Sequence, residues 1–369
     1  MASRTGRGLR RLVAIAVAGT VTACTGWGGD KAGGPGAPVV LSLANGYSNL
    51  SYEPSVARFV ERVEQVSNGA LRVRPADGWG GYAPDFEQRI TRDVASGRAD
   101  LGWVGTGVFD TLGVDSFQAL TAPLLVDSYA LEQVVIDSEV PRKMLVDLGR
   151  LGVVGVAVLP GGLRKPIAVR RPLLAPADWQ GITFQTFRSR GRSRAISALG
   201  AVPSDAFGSL NDGIVRGEIQ GFDKSLLALQ INAMAPRVPY VTANVNLWPQ
   251  PVALLANPDR LAGLTDRQRG WLQRAALDAA AGSAALADRD VQLVAEACAS
   301  GARFTDASAA DIEALRSAFE PLYRELSEDP TTKTAIERLR QLRQTTTAEP
   351  PLVIPPGCTG PAPAAPSPA

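Results

Sequence analysis

The sequence predicts an α/β protein of two lobes, with a ligand cleft between them and a helical C-terminal region. Three observations predict it. From Val39 to Val104 apolar runs and amphipathic segments follow the order strand, helix, strand, helix, strand, which implies parallel strands joined by right-handed crossovers. Strand-like runs begin again after the Gly161-Gly162 turn, and from Thr265 the pattern is helical. The 369 residues are enough for two domains, and 45% hydrophobic with 20% charged residues is the composition of a globular chain.

The first element is an address. Arg4, Arg7, Arg10 and Arg11 precede the apolar run Leu12 to Val21, which is too short to span a bilayer. Val21-Thr22-Ala23-Cys24 resembles a bacterial lipobox. Residues 1–23 are therefore expected to be a lipoprotein signal peptide, Cys24 the lipidated first residue, and 24–38, rich in Gly and Pro, a flexible tether. A plain signal peptide with a chance cysteine is the alternative. Losing the four arginines turns the net charge of +2 into −2, so no nucleic acid is expected as a partner. With Cys24 lipidated in an oxidising compartment, Cys298 and Cys358 are expected to form a disulfide that pins the tail to a helix, or else to stay as two thiols.

Val39 to Ala44 reads as a buried strand. It ends at Asn45-Gly46-Tyr47, polar and aromatic groups at the edge that faces the ligand crevice in an open α/β sheet. Pro54 to Ser67 is an amphipathic helix with Val56, Phe59, Val60, Val63 and Val66 on one face. Leu71 to Arg74 is a strand, and Gly78 to Tyr82 a turn-rich loop. Phe86, Ile90 and Val94 mark a second helix, stopped at Gly97, and Ala99 to Val104 is the next strand. Val153 to Val158 leads into Gly161-Gly162, where the first crossing between lobes is placed.

Ile167 to Val169 and Ile182 to Phe187 are strands of the second lobe; a basic helix start follows, and Gly200 ends that helix. Ser209 to Arg216 is a helix, and Asn244 to Leu255 a long strand-like run interrupted by Pro249 and Pro251. Thr265 and Gln268 form a capping box, and Asp311 to Glu328 is a helix with Pro321 inside it. The expected lobe I is 39–158 with part of 225–252, and lobe II is 159–224 with part of 253–300. Residues 301–345 form C-terminal helices, and the Pro/Thr/Ala-rich 346–369 is expected to be disordered apart from Cys358.

The chain has no histidine, which excludes Ser-His-Asp and Cys-His catalysis and His-ligated metals. Its three cysteines are too scattered for a zinc cluster. There is no phosphate loop, no nucleophile elbow, and no G-x-G-x-x-G after a strand, since Gly105-Thr106-Gly107 lacks the third glycine. Binding rather than turnover is expected, with no cofactor and no metal. Arg164, Arg188, Arg190, Arg192 and Arg194 all fall close to strand ends or a helix start. There guanidinium forks and backbone N–H groups hold anions. A solvated basic face is the other reading.

Gly162-Leu163-Arg164, Arg171-Pro172, Pro176 to Gly181 and Leu199 to Pro203 resemble the middle of the solute-binding proteins of tripartite ATP-independent periplasmic (TRAP) transporters. Ser96 to Phe109, Ala122 to Leu125 and Gly217 to Asp223 resemble further parts of that family. The resemblance implies a periplasmic-binding-protein-like fold, a small-molecule ligand of the organic-acid kind, and TRAP-type membrane permease subunits as partners of an extracytoplasmic, lipid-anchored binder. It also implies an arginine that clamps the ligand's carboxylate where this chain has Gln185, and an aspartate where it has Gln220.

A charge-assisted bond contributes about 1.5–3 kcal/mol, against about 1 for a neutral donor. Either another arginine takes the role, or the ligand is not a simple carboxylate. The expected contacts are Arg164 and Arg188 on the anion, with Gln185 adding a directional amide. Tyr47, Tyr82, Trp103 and Phe109 are expected as walls, and Asn45, Asp223 and Asn246 as polar contacts. Arg188 reads equally as solvent-facing, and Trp103 reads as core. A transport-independent sensor or surface interaction protein on the same fold is the alternative function.

Overall fold

The β-branched and apolar runs become strands that sort into two sheets. The computed structural model describes residues 38–186, 189–205 and 210–360. Its strands are β1 (Val39–Ala44), β2 (Leu71–Ala76), β3 (Leu101–Gly105), β4 (Val154–Leu159), β5 (Lys165–Ala168), β6 (Thr183–Gln185), β7 (Val202–Ser204), β8 (Gly221–Lys224), β9 (Tyr240–Thr242), β10 (Val252–Ala256) and β11 (Arg303–Thr305). The first sheet has the order β2-β1-β3-β10-β4 and the second β11-β9-β5-β8-β6-β7.

In the first sheet β1 runs parallel to β2 and β3, as the strand–helix alternation predicts. The connecting helices are Pro54–Val66, which buries Val56, Phe59 and Val63, and Phe86–Ala95, which buries Ile90 and Val94. In the second sheet β6 runs parallel to β7 and β8, while β5 runs antiparallel to β8 and β9.

The chain passes between the sheets in places the sequence reading sets differently. β10 is antiparallel to both β3 and β4, so Val252–Ala256 belongs to the first sheet, although it straddles the expected boundary between the stretches shared with lobe I and with lobe II. Tyr240–Thr242, inside the stretch 225–252 of which part is expected in lobe I, pairs with β5 and β11 in the second sheet. The run Asn244 to Leu255 is strand only from Val252, because Pro249 and Pro251 have no N–H for a ladder. Before those prolines, Leu247 and Trp248 meet Arg164. Arg164 N donates to Trp248 O at 2.9 Å, and Leu247 N donates to Arg164 O at 2.8 Å. The two crossings are thus bonded side by side.

Thr265 and Gln268 cap the helix Asp266–Ala280 in the expected box. The helix Ser283–Ala299 follows, and it carries Leu293, Val294 and Ala297 into the core of the second sheet. The helices Ala309–Leu326, with Pro321 inside it, and Pro330–Thr345 close the helical C-terminal region. No described helix is long and apolar enough to cross a membrane.

The tail departs from the disorder expected after Thr345. Through Gly360 it is described and held by side chains. Glu349 accepts from Tyr129 N at 3.1 Å, Leu352 and Ile354 pack on the second core, and Cys358 is buried. Cys298 and Cys358 are disulfide-bonded. Cys358 O also accepts from Phe304 N at 2.8 Å, which lays the tail along β11. Residues 1–37, with Cys24, and residues 361–369 lie outside the described residues, as does Arg188.

Candidate ligand-binding cleft

The carboxyl ends of β1 and β8 and the two crossings bound one cavity of about 230 Å³. Tyr47 and Tyr82 line it from the first lobe, Lys224 from the second, and Arg164 and Gln250 from the crossings. Gln250 reaches this place because position 105 is glycine. A Cβ there would lie 2.3 Å from Gln250 Nε2.

Arg164 is buried and paired. Its Nε donates to Asp223 Oδ2 at 2.7 Å and its Nη2 to Asp223 O at 2.6 Å. Trp248 Nε1 donates to the same Oδ2 at 3.1 Å. Burial pushes the Asp223 carboxyl up, but Arg164 and Arg192 together hold it below the ordinary range. The pair ties the end of β8 to the first crossing.

Arg192 is placed by helix phase. In the helix Arg190–Ala198 it shares the buried side with Ala195 and Ile196, and Ser189 caps the helix by accepting from Arg192 N. The first lobe completes that cap. Asp110 Oδ2 accepts from Ser189 Oγ at 2.7 Å and from Gly191 N at 2.9 Å. The Arg192 guanidinium stands 5.5 Å over the Trp248 ring, and its Nη1 donates to Gln250 Oε1 at 2.7 Å. Nε and Nη2, the edge that meets a carboxylate with two parallel bonds, have no partner among the described residues. Burial lowers its pKa to about 10, which leaves it charged at neutral pH.

Glu87 faces the same region from the helix Phe86–Ala95. Its Oε1 accepts from Gly105 N at 2.7 Å, and burial raises its carboxyl to about 7 against the pull of that N–H and of Arg192. Lys224 is lowered to about 7 by burial and by the positive charge of Arg164.

The expected wall residues divide. Tyr47 and Tyr82 line the cavity; Tyr82 is 48% exposed. Trp103 is buried behind Tyr47, stacked on it with ring centroids 5.4 Å apart. Phe109 is not a wall. It is fully buried against Phe117, at 4.7 Å between centroids. Asn45 shapes the turn that presents Tyr47: its Nδ2 donates to Asp77 Oδ1 at 2.8 Å and its Oδ1 accepts from Tyr47 N at 3.2 Å. Asn246 lies beside β5, accepting from Lys165 Nζ at 2.7 Å and donating to Asp127 O at 2.8 Å. Gln185 is 1% exposed; its Nε2 makes only a 3.5 Å contact with Thr186 O, and its Oε1 has no partner among the described residues.

Sequence reasoning missed Glu53, Glu87, Lys224 and Gln250, and it placed Arg192 only among the basic residues of its stretch. A signal existed for two of them. Arg192, Ala195, Ile196 and Leu199, and likewise Glu87, Ile90, Thr91 and Val94, follow the i, i+3, i+4, i+7 spacing of an apolar stripe. A charge in that phase is buried, and a buried charge needs a partner.

The profile of the bacterial extracellular solute-binding proteins of family 7 (DctP) matches residues 47–329. The chain belongs to this family. The resemblance carried by Arg164 to Pro203 is borne out. Among solved structures, this family 7 protein is similar to a TRAP periplasmic solute-binding protein from Ralstonia eutropha H16 with bound (S)-2-acetolactate. That match has 18% identity and a TM-score of 0.73, covering 82% of this chain and 98% of that one. It is also similar to a sugar acid binding protein from Advenella mimigardefordensis in complex with galactonate, at 19% identity and a TM-score of 0.73, covering 84% and 99%. A third is a TRAP periplasmic solute-binding protein from Shewanella oneidensis with bound succinate, at 16% identity and a TM-score of 0.72, covering 83% and 99%. At such identities the likeness speaks for the fold. A comparison with curated proteins found no match.

Proposed function

We propose that this family 7 protein captures a small organic acid outside the cytoplasm and delivers it to a TRAP-type membrane permease. The observation that carries the reading is Arg192, a buried, charged guanidinium whose bidentate edge has no partner among the described residues. It supplies the clamp that Gln185 lacks. Arg164 shapes the site, with its Nε and Nη2 on Asp223, and Gln185 adds an amide.

Closure follows from where these groups stand. Arg192 belongs to the second lobe, and the Asp110 segment that caps its helix belongs to the first. A ligand held by Arg192 and faced by Tyr47 touches both lobes, so its differential affinity favours the closed state. The three related structures named above hold acetolactate, galactonate and succinate, which all carry a carboxylate, and this supports the reading. The Val21-Thr22-Ala23-Cys24 run and the Gly/Pro-rich segment after it support a lipid anchor on Cys24.

A thermal-shift screen of small carboxylic acids tests the binding. Ligand at about 100 times its Kd should add about 2.7 kcal/mol of stability. A panel in which no acid raises Tm would overturn the reading. For the anchor, Cys24→Ser should move the protein from the membrane fraction to the soluble one.

A further inference from the structure

The cavity holds a carboxylate that organic-acid binding leaves unused. Glu53 follows the turn Leu50–Tyr52 and starts the helix Pro54–Val66. Its carbonyl accepts from Val56 N at 3.0 Å, but its carboxylate does not cap the helix. The side chain lines the cavity instead. The residue is only 8% exposed, and its carboxylate has no hydrogen bond or ion pair among the described residues. Two more carboxylates, Glu132 and Glu87, lie in its electrostatic reach, and so does Arg164, whose guanidinium already bonds Asp223. Glu132 is satisfied by Gly161 N at 3.0 Å and Ser283 Oγ at 3.3 Å, and Glu87 accepts from Gly105 N. Beside Glu53, Tyr47 and Tyr52 stack at 5.2 Å, and the faces of Tyr rings attract cations.

We infer that the ligand is a zwitterion of amino-acid size, with its ammonium against Glu53 and the tyrosines and its carboxylate toward Gln250, the lining residue to which Arg192 is bonded. This rests on the cleft being the binding site proposed above and adds the second end of the ligand. A cavity of about 230 Å³ suits so small a molecule, since drug-sized ligands take about 300–1,000 Å³. Burial and the neighbouring Glu132 raise the Glu53 carboxyl well above its ordinary range. A cation is the group that restores its ionised form, which the amino end of the helix also favours.

Matched pairs decide the matter: alanine with lactate, serine with glycerate, and glutamate with 2-hydroxyglutarate, titrated calorimetrically against the full chain. Within the pairs that bind, the amine member should bind at least tenfold tighter. Glu53→Gln, which keeps shape and removes charge, should shrink that preference to threefold or less. Equal or tighter binding of the hydroxy acids overturns the zwitterion and leaves the organic-acid reading standing. So does a preference that survives Glu53→Gln, or binding confined to acids outside the three pairs. Absence of binding by every carboxylate tested overturns both.

Discussion

Arg164 lines the cavity and Arg192 stands behind its Gln250, and both are buried, yet their surroundings are opposite. Arg164 has its counter-ion built in, with Asp223 bonded by side chain and by backbone. Arg192 has one bond, to Gln250, and an unpartnered edge among the described residues. In a poorly polarisable interior an unpaired guanidinium is costly, so the open edge weakens the ligand-free protein, and a ligand bound there as proposed would recover that cost. The contrast teaches that a buried charge declares its role by which of its N–H groups the protein leaves unsatisfied. Arg164 is part of the scaffold, and Arg192 waits for something else.

The largest way to break this comparison is to take away Asp223. Asp223→Ala leaves Arg164 as an uncompensated buried charge, which should cost about 3–5 kcal/mol. A urea melt should show the midpoint falling steeply with the slope retained. If the midpoint barely moves, Arg164 is no more scaffold than Arg192.

Next in size is the pH dependence set by Glu87, which both arginines pull on. Its carboxyl is raised, so its contribution is fully present below the ordinary value of 4.5 and is lost as pH rises through about 7. That rise corresponds to about 3 kcal/mol at full ionisation. Glu87→Gln keeps an acceptor for Gly105 N–H and cannot ionise. Between pH 5.5 and 8.5 the ligand-free wild type should therefore lose more Tm than Glu87→Gln. Parallel curves would show that the carboxyl titrates normally.

Arg192→Met then separates the two arginines. It keeps the stem's packing and removes the charge. Ligand affinity should fall by about 1.5–3 kcal/mol, roughly 10- to 150-fold, while ligand-free stability should hold or rise, because a costly unpaired buried charge is removed. Arg164→Met should do the reverse and destabilise strongly. Calorimetry and melts on the same two proteins check this, and equal losses of stability would erase the distinction.

Much of the scaffold was legible, and for a definite reason. The first lobe alternates strands and amphipathic helices in sequence order, and apolar spacing such as Val56-Phe59-Val63 reports each buried face directly. The crossings were harder. β10 lies between β3 and β4, pairs fixed by residues about 100–150 positions away, and no local pattern encodes that register. The tail misled because a run of Pro, Thr and Ala offers little apolar side chain to bury, while a few residues, Glu349, Leu352, Ile354 and Cys358, do the holding. In the cleft, residue types were readable but their partners were not. Asp223 lies 59 residues from Arg164, and only the folded chain shows which arginine it satisfies. Phe109 shows the same limit, since an aromatic after a strand can equally turn toward ligand or toward Phe117.

The smallest expected effect concerns Gln185, and it sharpens the contrast most finely. Gln185 ends β6, opposite Phe222 on β8, and its Oε1 lacks a partner among the described residues. Like the open edge of Arg192, it is a polar group that the fold leaves unsatisfied. If it reads the ligand, Gln185→Leu should lower affinity by about 1 kcal/mol, roughly fivefold, because the lost bond is neutral. The same change should slightly raise ligand-free stability, since an unsatisfied buried acceptor disappears. Calorimetry and a urea melt together give both signs. A variant that loses stability and keeps affinity would place Gln185 with Arg164 in the scaffold and leave Arg192 to hold the anion without it.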